Sequence, residues 1–157
     1  MTKYSKKQIT LHWTLAVLFA AQFIFHDAIE DAFDKVMDGI AVSFDPLVAG
    51  HVAGGIAILL LTVYRFYVRK TIGVPDYPQQ GSAQTEKLSE WVHMATYALG
   101  ILMPISGMVA WFGVNHNAAE AHEVMKFAFL AVIALHVAGA FSHLILHKNN
   151  IFKRMWP

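Results

Sequence analysis

The chain has 157 residues, the length of one domain, and is 56% hydrophobic and 15% charged, with a net charge of +1. Soluble domains carry nearer one quarter charged residues, so this composition suits an apolar solvent. Cysteine is absent, which excludes disulfides, thiolate-held iron–sulfur clusters, zinc ribbons and CxxCH attachment of c-type haem.

A bilayer core takes about 20 apolar residues of helix, and four stretches meet that length. The first predicts a helix over about 8–26, with no Asp, Glu, Lys or Arg from Gln8 to His26. Its apolar run is too long for a cleaved signal peptide and no small-x-small site follows, so it reads as a retained helix. The segment Asp27 to Asp45, with six acids against one lysine, reads as a loop. The second helix is expected over 46–68, apolar from Pro46 to Tyr64 and stopping at Arg65. Thr71 to Ser89 contains Pro, Gly and Gln and reads as irregular before Ser82. The third helix is expected over 90–113, uncharged from Trp91 to Gly113, followed by a short loop from Val114 to Ala121. The fourth is expected over 122–147, with His122 on its first turn. No internal repeat or low-complexity tract interrupts this order.

Charge sets the expected orientation. Lys3, Lys6, Lys7, Arg65, Arg69, Lys70, Lys87, Lys148, Lys153 and Arg154 fall on one side of the four helices, and only Lys35 and Lys126 on the other. By the positive-inside rule both termini face the cytoplasm. Trp13, Trp91 and Trp156 near one interface and Trp111 near the other agree with an aromatic belt on each side. The expectation is an all-α fold: a single domain over 1–157, an integral membrane four-helix bundle.

Nine histidines are many for so apolar a chain. Ionisable groups inside a membrane are expensive and are functional candidates by default. His122 and His136 are 14 residues apart, or 3.9 helical turns, so they share a face and lie about 21 Å apart along the axis. That spacing suits ligands of two stacked cofactors, one near each side of the bilayer. His51, near the external end of the second helix, matches His122 in depth. His12, near the cytoplasmic end of the first, pairs with His136, although by distance from the helix end His143 matches it better. Haem iron held by two imidazoles has no open position, so it carries electrons rather than activating oxygen.

The neighbours of these histidines fit a porphyrin. Gly54 and Gly55 follow His51 by three and four residues, Gly139 and Ala140 follow His136 likewise, and Gly100 and Gly107 follow His93 by seven and fourteen. Such residues leave room for a flat macrocycle, and serve close helix packing equally well. Arg65, fourteen residues after His51, brings a charge suited to a propionate to the cytoplasmic cofactor, and is also an ordinary interfacial anchor. A metal transporter would want carboxylates in its path, and the apolar stretches contain none. Met94, Met103, Met108 and Met125 are expected to pack, and His26, His116 and His147 to lie at the interfaces.

The chain resembles the bacterial cytochrome b561 family, related to the cytochrome b subunits of nickel hydrogenases and formate dehydrogenases. The resemblance covers nearly the whole chain. It rests on Lys3-Tyr4-Ser5, Ile9-Thr10-Leu11-His12-Trp13, His51 with Gly55 and Arg65, His93, Tyr97 and Pro104-Ile105-Ser106-Gly107. It continues with His122-Glu123, Leu135-His136-Val137-Ala138, His143 and Lys148-Asn149-Asn150. It implies two b haems, the cytoplasmic one on His12 and His136 and the external one on His51 and His122. It also implies a quinone, ubiquinone or menaquinone, near the cytoplasmic haem, with His93 and His143 expected in its pocket as hydrogen-bond donors or proton carriers.

Three functions follow as expectations. The first is a transmembrane electron carrier in the bacterial cytoplasmic (inner) membrane, linking an external redox partner to quinone. The second is a superoxide oxidase, a superoxide:quinone oxidoreductase. The third is the membrane anchor of a larger dehydrogenase or hydrogenase complex, disfavoured by the lack of a long soluble extension. Besides membrane lipid and quinone, the expected partner is a basic soluble redox protein or superoxide, and not nucleic acid. An anionic radical is steered by basic surfaces, whereas Asp27, Glu30, Asp31, Asp34, Asp38, Asp45, Glu120 and Glu123 face outward in this reading. The carrier is therefore favoured.

Overall fold

The computed structural model describes residues 3–76, 82–145 and 151–156. Every regular element among them is helical: α1 Lys6–Ile24, α2 Asp27–Met37, α3 Pro46–Ile72, α4 Ala83–Gly113, α5 His116–Ile145 and a 3-10 turn at Ile151–Arg154. Local chemistry sets where the helices begin. Ser5 and Gln8 form a reciprocal capping box at the start of α1, which satisfies donors that the first turn leaves without intrahelical partners. Asp45 accepts from the Leu47 and Val48 amides, with Pro46 in the first position of α3, where its missing N–H is no loss. Ser82 caps α4. Gly73, at φ +82°, ends α3 in a conformation that glycine adopts without strain.

α3, α4 and α5 are each long and apolar enough to cross a membrane. α1 and α2 meet that test only together, as a pair bent by 54°. The chain is thus a multi-pass helical membrane protein with three spans, or four if the bent pair counts as one. Side chains such as Val17, Leu60, Leu102, Phe112, Val124, Phe127 and Leu135 are exposed. So much outward apolar surface fits a chain solvated by lipid tails.

The interior is small and shared. Leu15, Phe19, Ile58, Met103 and Phe129, drawn from α1, α3, α4 and α5, form one buried cluster, and the Phe19 and Phe129 rings lie 4.4 Å apart. His12 and Phe19 of α1 meet His136 and Phe129 of α5, and Thr62 and Arg65 of α3 meet Gly100 and Tyr97 of α4, each pair in reverse order. Successive long helices therefore run in alternate directions. One end of the molecule carries most of the basic residues and is spanned by a clasp. Gln8 Nε2 donates to the Gly73 carbonyl at 2.8 Å, Trp13 Nε1 to that of Met155 at 2.7 Å, and Arg154 to that of Asp76 at 2.8 Å. The other end carries most of the acids.

The elements differ from the sequence reading at this acidic end. The segment after His26 is not a loop but the amphipathic helix α2. Ala32 is its buried residue, its first turn holds Asp27 and Glu30, and its last holds Lys35, the charge order that a helix dipole favours. α5 begins at His116, not near 122, so His122 stands on the second turn; the connection from α4 is only Val114 and Asn115. Val114 adopts φ 46°, uncommon for a β-branched residue, and Asn115 Oδ1 accepts from the Ala118 amide. At the basic end α4 begins at Ala83, seven residues before the expected 90, and α3 runs on to Ile72. The expected fourth helix reached 147; residues 146 and 147 lie outside the described ones.

Candidate functional site

Two imidazole pairs lie at the two ends. At the acidic end His51 of α3 and His122 of α5 have ring centroids 6.5 Å apart, with planes at 67°. At the basic end His12 of α1 and His136 of α5 are 6.2 Å apart, at 61°. Two imidazoles bound to opposite faces of one iron, each by a bond of about 2 Å with the ring centre about 1 Å further on, have centroids about 6 Å apart. Both pairs match that separation. His93 of α4 also reaches His136, at 5.2 Å, too close for an iron between them, so its position is that of a ring neighbour.

The acidic-end pair opens onto a cavity of about 1010 Å³, at the upper end of the range for ligand pockets. His51, Gly55, Met103, Gly107 and His122 line its inner part. The His122 ring is held from behind: its Nδ1 lies 2.8 Å from the Met103 carbonyl oxygen. A carbonyl only accepts, so Nδ1 carries the hydrogen and Nε2 keeps its lone pair, the state a ligating imidazole needs. Gly107 makes this approach possible, since a Cβ there would stand 3.0 Å from the His122 ring. A Cβ at Gly54 would collide with the Gln22 side chain, which also lines the cavity. The His51 Nδ1 is buried and makes no hydrogen bond.

The rim of the cavity is acidic. Glu30, Asp34 and Asp38 of the α2 region and Glu120 and Glu123 of α5 line it, and Lys126 is the single Lys or Arg among its described lining residues. Lys126 Nζ is 2.9 Å from Glu123. His26, at the break between α1 and α2, and His116, the first residue of α5, also line the cavity. His26 lies 3.3 Å from Asp27 and 3.7 Å from Glu30, and His116 lies 3.3 Å from Glu120. Ile29, Phe33 and Met37 turn the apolar face of α2 toward the same space.

The basic end, among the described residues, is narrower. A cleft of about 20 Å³ is lined by Tyr4, Gln8, Arg65, Arg69, His93 and Tyr97, with Val74 and Met155. That volume holds little more than one water. The Arg65 guanidinium lies 5.5 Å from the Tyr97 ring centre. His143 is buried at 7% exposure, but it is not among the residues that line the cleft. The structure thus brings together His12, His136 and His93 at one end and His51 and His122 at the other. His147 lies outside the described residues.

Sequence reasoning left out α2 as a wall of the cavity, Gln22, the Ser106 hydroxyl 3.3 Å from His122 Nδ1, and the Met103 carbonyl. For α2 a signal existed, in Ile29, Phe33 and Met37 spaced by four. For a main-chain acceptor there was none.

A scaffold of apolar helices with matched imidazole pairs is that of a membrane haem protein. The family model for prokaryotic cytochrome b561 matches residues 3–157, and the chain belongs to that family. It is 32% identical over 155 residues to cytochrome b562 of Cereibacter sphaeroides, covering 97% of this chain and 94% of that one. It is 28% identical over 178 aligned positions to the probable superoxide oxidase CybB of Yersinia pestis, covering 99% and 96%. Cytochromes of the b561 family bind haem b, and this chain is accordingly a membrane electron-transfer cytochrome.

Proposed function

We propose that this cytochrome carries electrons through two haem b groups between a redox partner on the external, periplasmic side and quinone in the bacterial cytoplasmic membrane. His51 and His122 hold the external haem, and His12 and His136 the cytoplasmic one. Both termini face the cytoplasm, and the four spans, with α1 and α2 as one, form a bundle. The observation that carries this reading is the pair of centroid separations, 6.5 and 6.2 Å, each between different helices. A haem so held supplies a one-electron iron couple with no free coordination position.

The protein's part is to fix the ligands and keep water out. Met103 fixes the tautomer of His122, Arg65 stands ready for a propionate at the cytoplasmic side, and α2 roofs the external cavity. His93 and His143 serve quinone by donating hydrogen bonds and carrying protons, an imidazole task near neutral pH. Since the cleft beside His93 is only about 20 Å³, a quinone ring enters by parting the clasp around Tyr4 and Met155 or from the lipid side.

A second reading, superoxide:quinone oxidoreductase, is favoured by the likeness to CybB. The acidic rim opposes it, because like charge repels an anionic radical.

The test is a pyridine haemochrome count. Purified protein should hold two haem b per chain; His122→Ala should lose one and His136→Ala the other. One haem in the unaltered protein, or no loss from either substitution, ends the paired-ligand reading. Loss of the cytoplasmic haem from His143→Ala and not from His136→Ala would move that ligand to His143.

A further inference from the structure

The four pairing histidines are not held alike. His122 rests on a main-chain carbonyl, and a side chain shares that contact: Ser106 Oγ donates to the same Met103 oxygen at 2.8 Å and lies 3.3 Å from His122 Nδ1. The three atoms form a closed triangle between α4 and α5. The Met103 oxygen has two lone pairs, and helix geometry already directs the Gly107 amide at it. The serine hydroxyl is therefore a competing donor; its oxygen accepts from the ring N–H only over the longer 3.3 Å, so the ring N–H receives less of the carbonyl at 2.8 Å than it would without it.

Resting on the external haem reading above, we propose that Ser106 is a positioning residue that sets how strongly His122 donates to iron, and hence the redox potential of the external haem alone. A hydrogen bond from the far ring nitrogen of a ligating histidine orients the ring and raises its donor strength. A stronger donor favours the ferric state and lowers the potential. By taking part of the Met103 carbonyl, the Ser106 hydroxyl holds that effect in check and keeps the external haem easier to reduce. Its oxygen, 3.3 Å from Nδ1, also limits the tilt of the ring.

The experiment is a redox titration of the detergent-purified holoprotein followed by haem absorbance, with low-temperature electron paramagnetic resonance of the ferric state. Ser106→Ala should leave two haems per chain and raise the oxidised-to-reduced ratio of the external haem about threefold at its former midpoint. The cytoplasmic haem should be unmoved, and only the external ferric signal should change its g-values. Ser106→Thr, which keeps the hydroxyl, should restore both readouts. Should Ser106→Ala not accumulate, Ser106→Cys, with its weaker donor, should give a smaller shift of the same sign. Unchanged midpoints and g-values with two haems present would overturn the role of Ser106 and leave the ligand assignment standing. An equal shift of both haems would overturn it too, as a change in the whole bundle. A chain that never held the external haem would instead overturn the reading on which it rests.

Discussion

At the acidic end two imidazoles face each other across a cavity of about 1010 Å³, one ring is pinned by a carbonyl, and an amphipathic helix forms a wall. At the basic end three imidazoles crowd together, with centroids 6.2 and 5.2 Å apart, beside a cleft of about 20 Å³ under a clasp of three side-chain-to-main-chain hydrogen bonds. Among the described residues, similar imidazole groups thus sit beside a large cavity at one end and a small cleft at the other. With a haem at each pair as proposed, the open end would admit an aqueous donor or acceptor to the edge of its haem. The narrow end would shield its haem from water and leave exchange to small lipid-soluble molecules. On the proposed reading, this asymmetry, rather than the histidines themselves, would give the carrier its two distinct partners.

The largest expected effect sharpens the contrast at the narrow end. Replacing His93 with Phe keeps the ring volume near His136 and removes the exchangeable proton. Both haem spectra should persist while reoxidation by added ubiquinone or menaquinone slows by about a hundredfold, the lower range for loss of a general acid–base group. His143→Phe should slow it in the same direction. Stopped-flow absorbance of prereduced protein measures both, and unchanged rates in the two variants would return these residues to a packing role. If the quinone instead exchanged through the open end, Phe at position 93 would be silent.

A smaller effect probes the open end. Gly107→Ala places a methyl 3.0 Å from the His122 ring, so the ring must give by a few tenths of an ångström against its hold on the Met103 carbonyl. About half of the external haem should be lost, or its spectrum broadened, with no change at the cytoplasmic haem. Gly50→Ala is the control, since a Cβ there meets nothing within 4 Å and Gly50 is exposed and does not line the cavity, and it should leave both spectra as they were. Equal behaviour of the two variants would mean that Gly107 serves only helix packing.

These contrasts also mark what the sequence made legible. The four apolar stretches, the start of α3 at Pro46 and the two-ended set of histidines were readable because hydrophobic length, a Pro after a capping Asp and residue spacing are local signals. The ambiguity between His136 and His143 was not resolvable by depth. Counting from helix ends assumes that the ends are level, whereas α4 begins at Ala83 and α3 runs to Ile72, beyond the apolar stretches. It is His136 whose ring approaches His12. The segment after His26 was misread because its acids dominated its composition and masked the four-residue spacing of Ile29, Phe33 and Met37. Met103 was seen only as an apolar side chain, and its carbonyl could enter the argument only once α4 and α5 were placed side by side.

The smallest expected effect decides between the two external partners. Asp27 and Glu30 are largely exposed, at 87% and 56% of their side chains, and Glu30, Asp34, Asp38, Glu120 and Glu123 line the cavity against Lys126. Charges of this kind act through solvent, over about 30 Å at 0.01 M salt and about 10 Å at 0.1 M. Superoxide should therefore reduce the external haem slowly at low ionic strength and a few-fold faster as salt screens the rim, the reverse of steered association. A basic soluble redox protein should show the opposite salt dependence. Changing Asp27, Glu30, Asp31 and Asp34 to Asn or Gln should speed the superoxide reaction and weaken the basic partner. The measurement is stopped-flow haem absorbance against a superoxide pulse across a salt series. The competing outcome is near-diffusion-limited reduction that slows with added salt. Lys126, 18% exposed and paired with Glu123 at 2.9 Å, would then be acting as a local cationic path inside an acidic rim. In that case the open end would be a substrate site for a small anion rather than a dock for a protein, and the oxidase reading would replace the carrier.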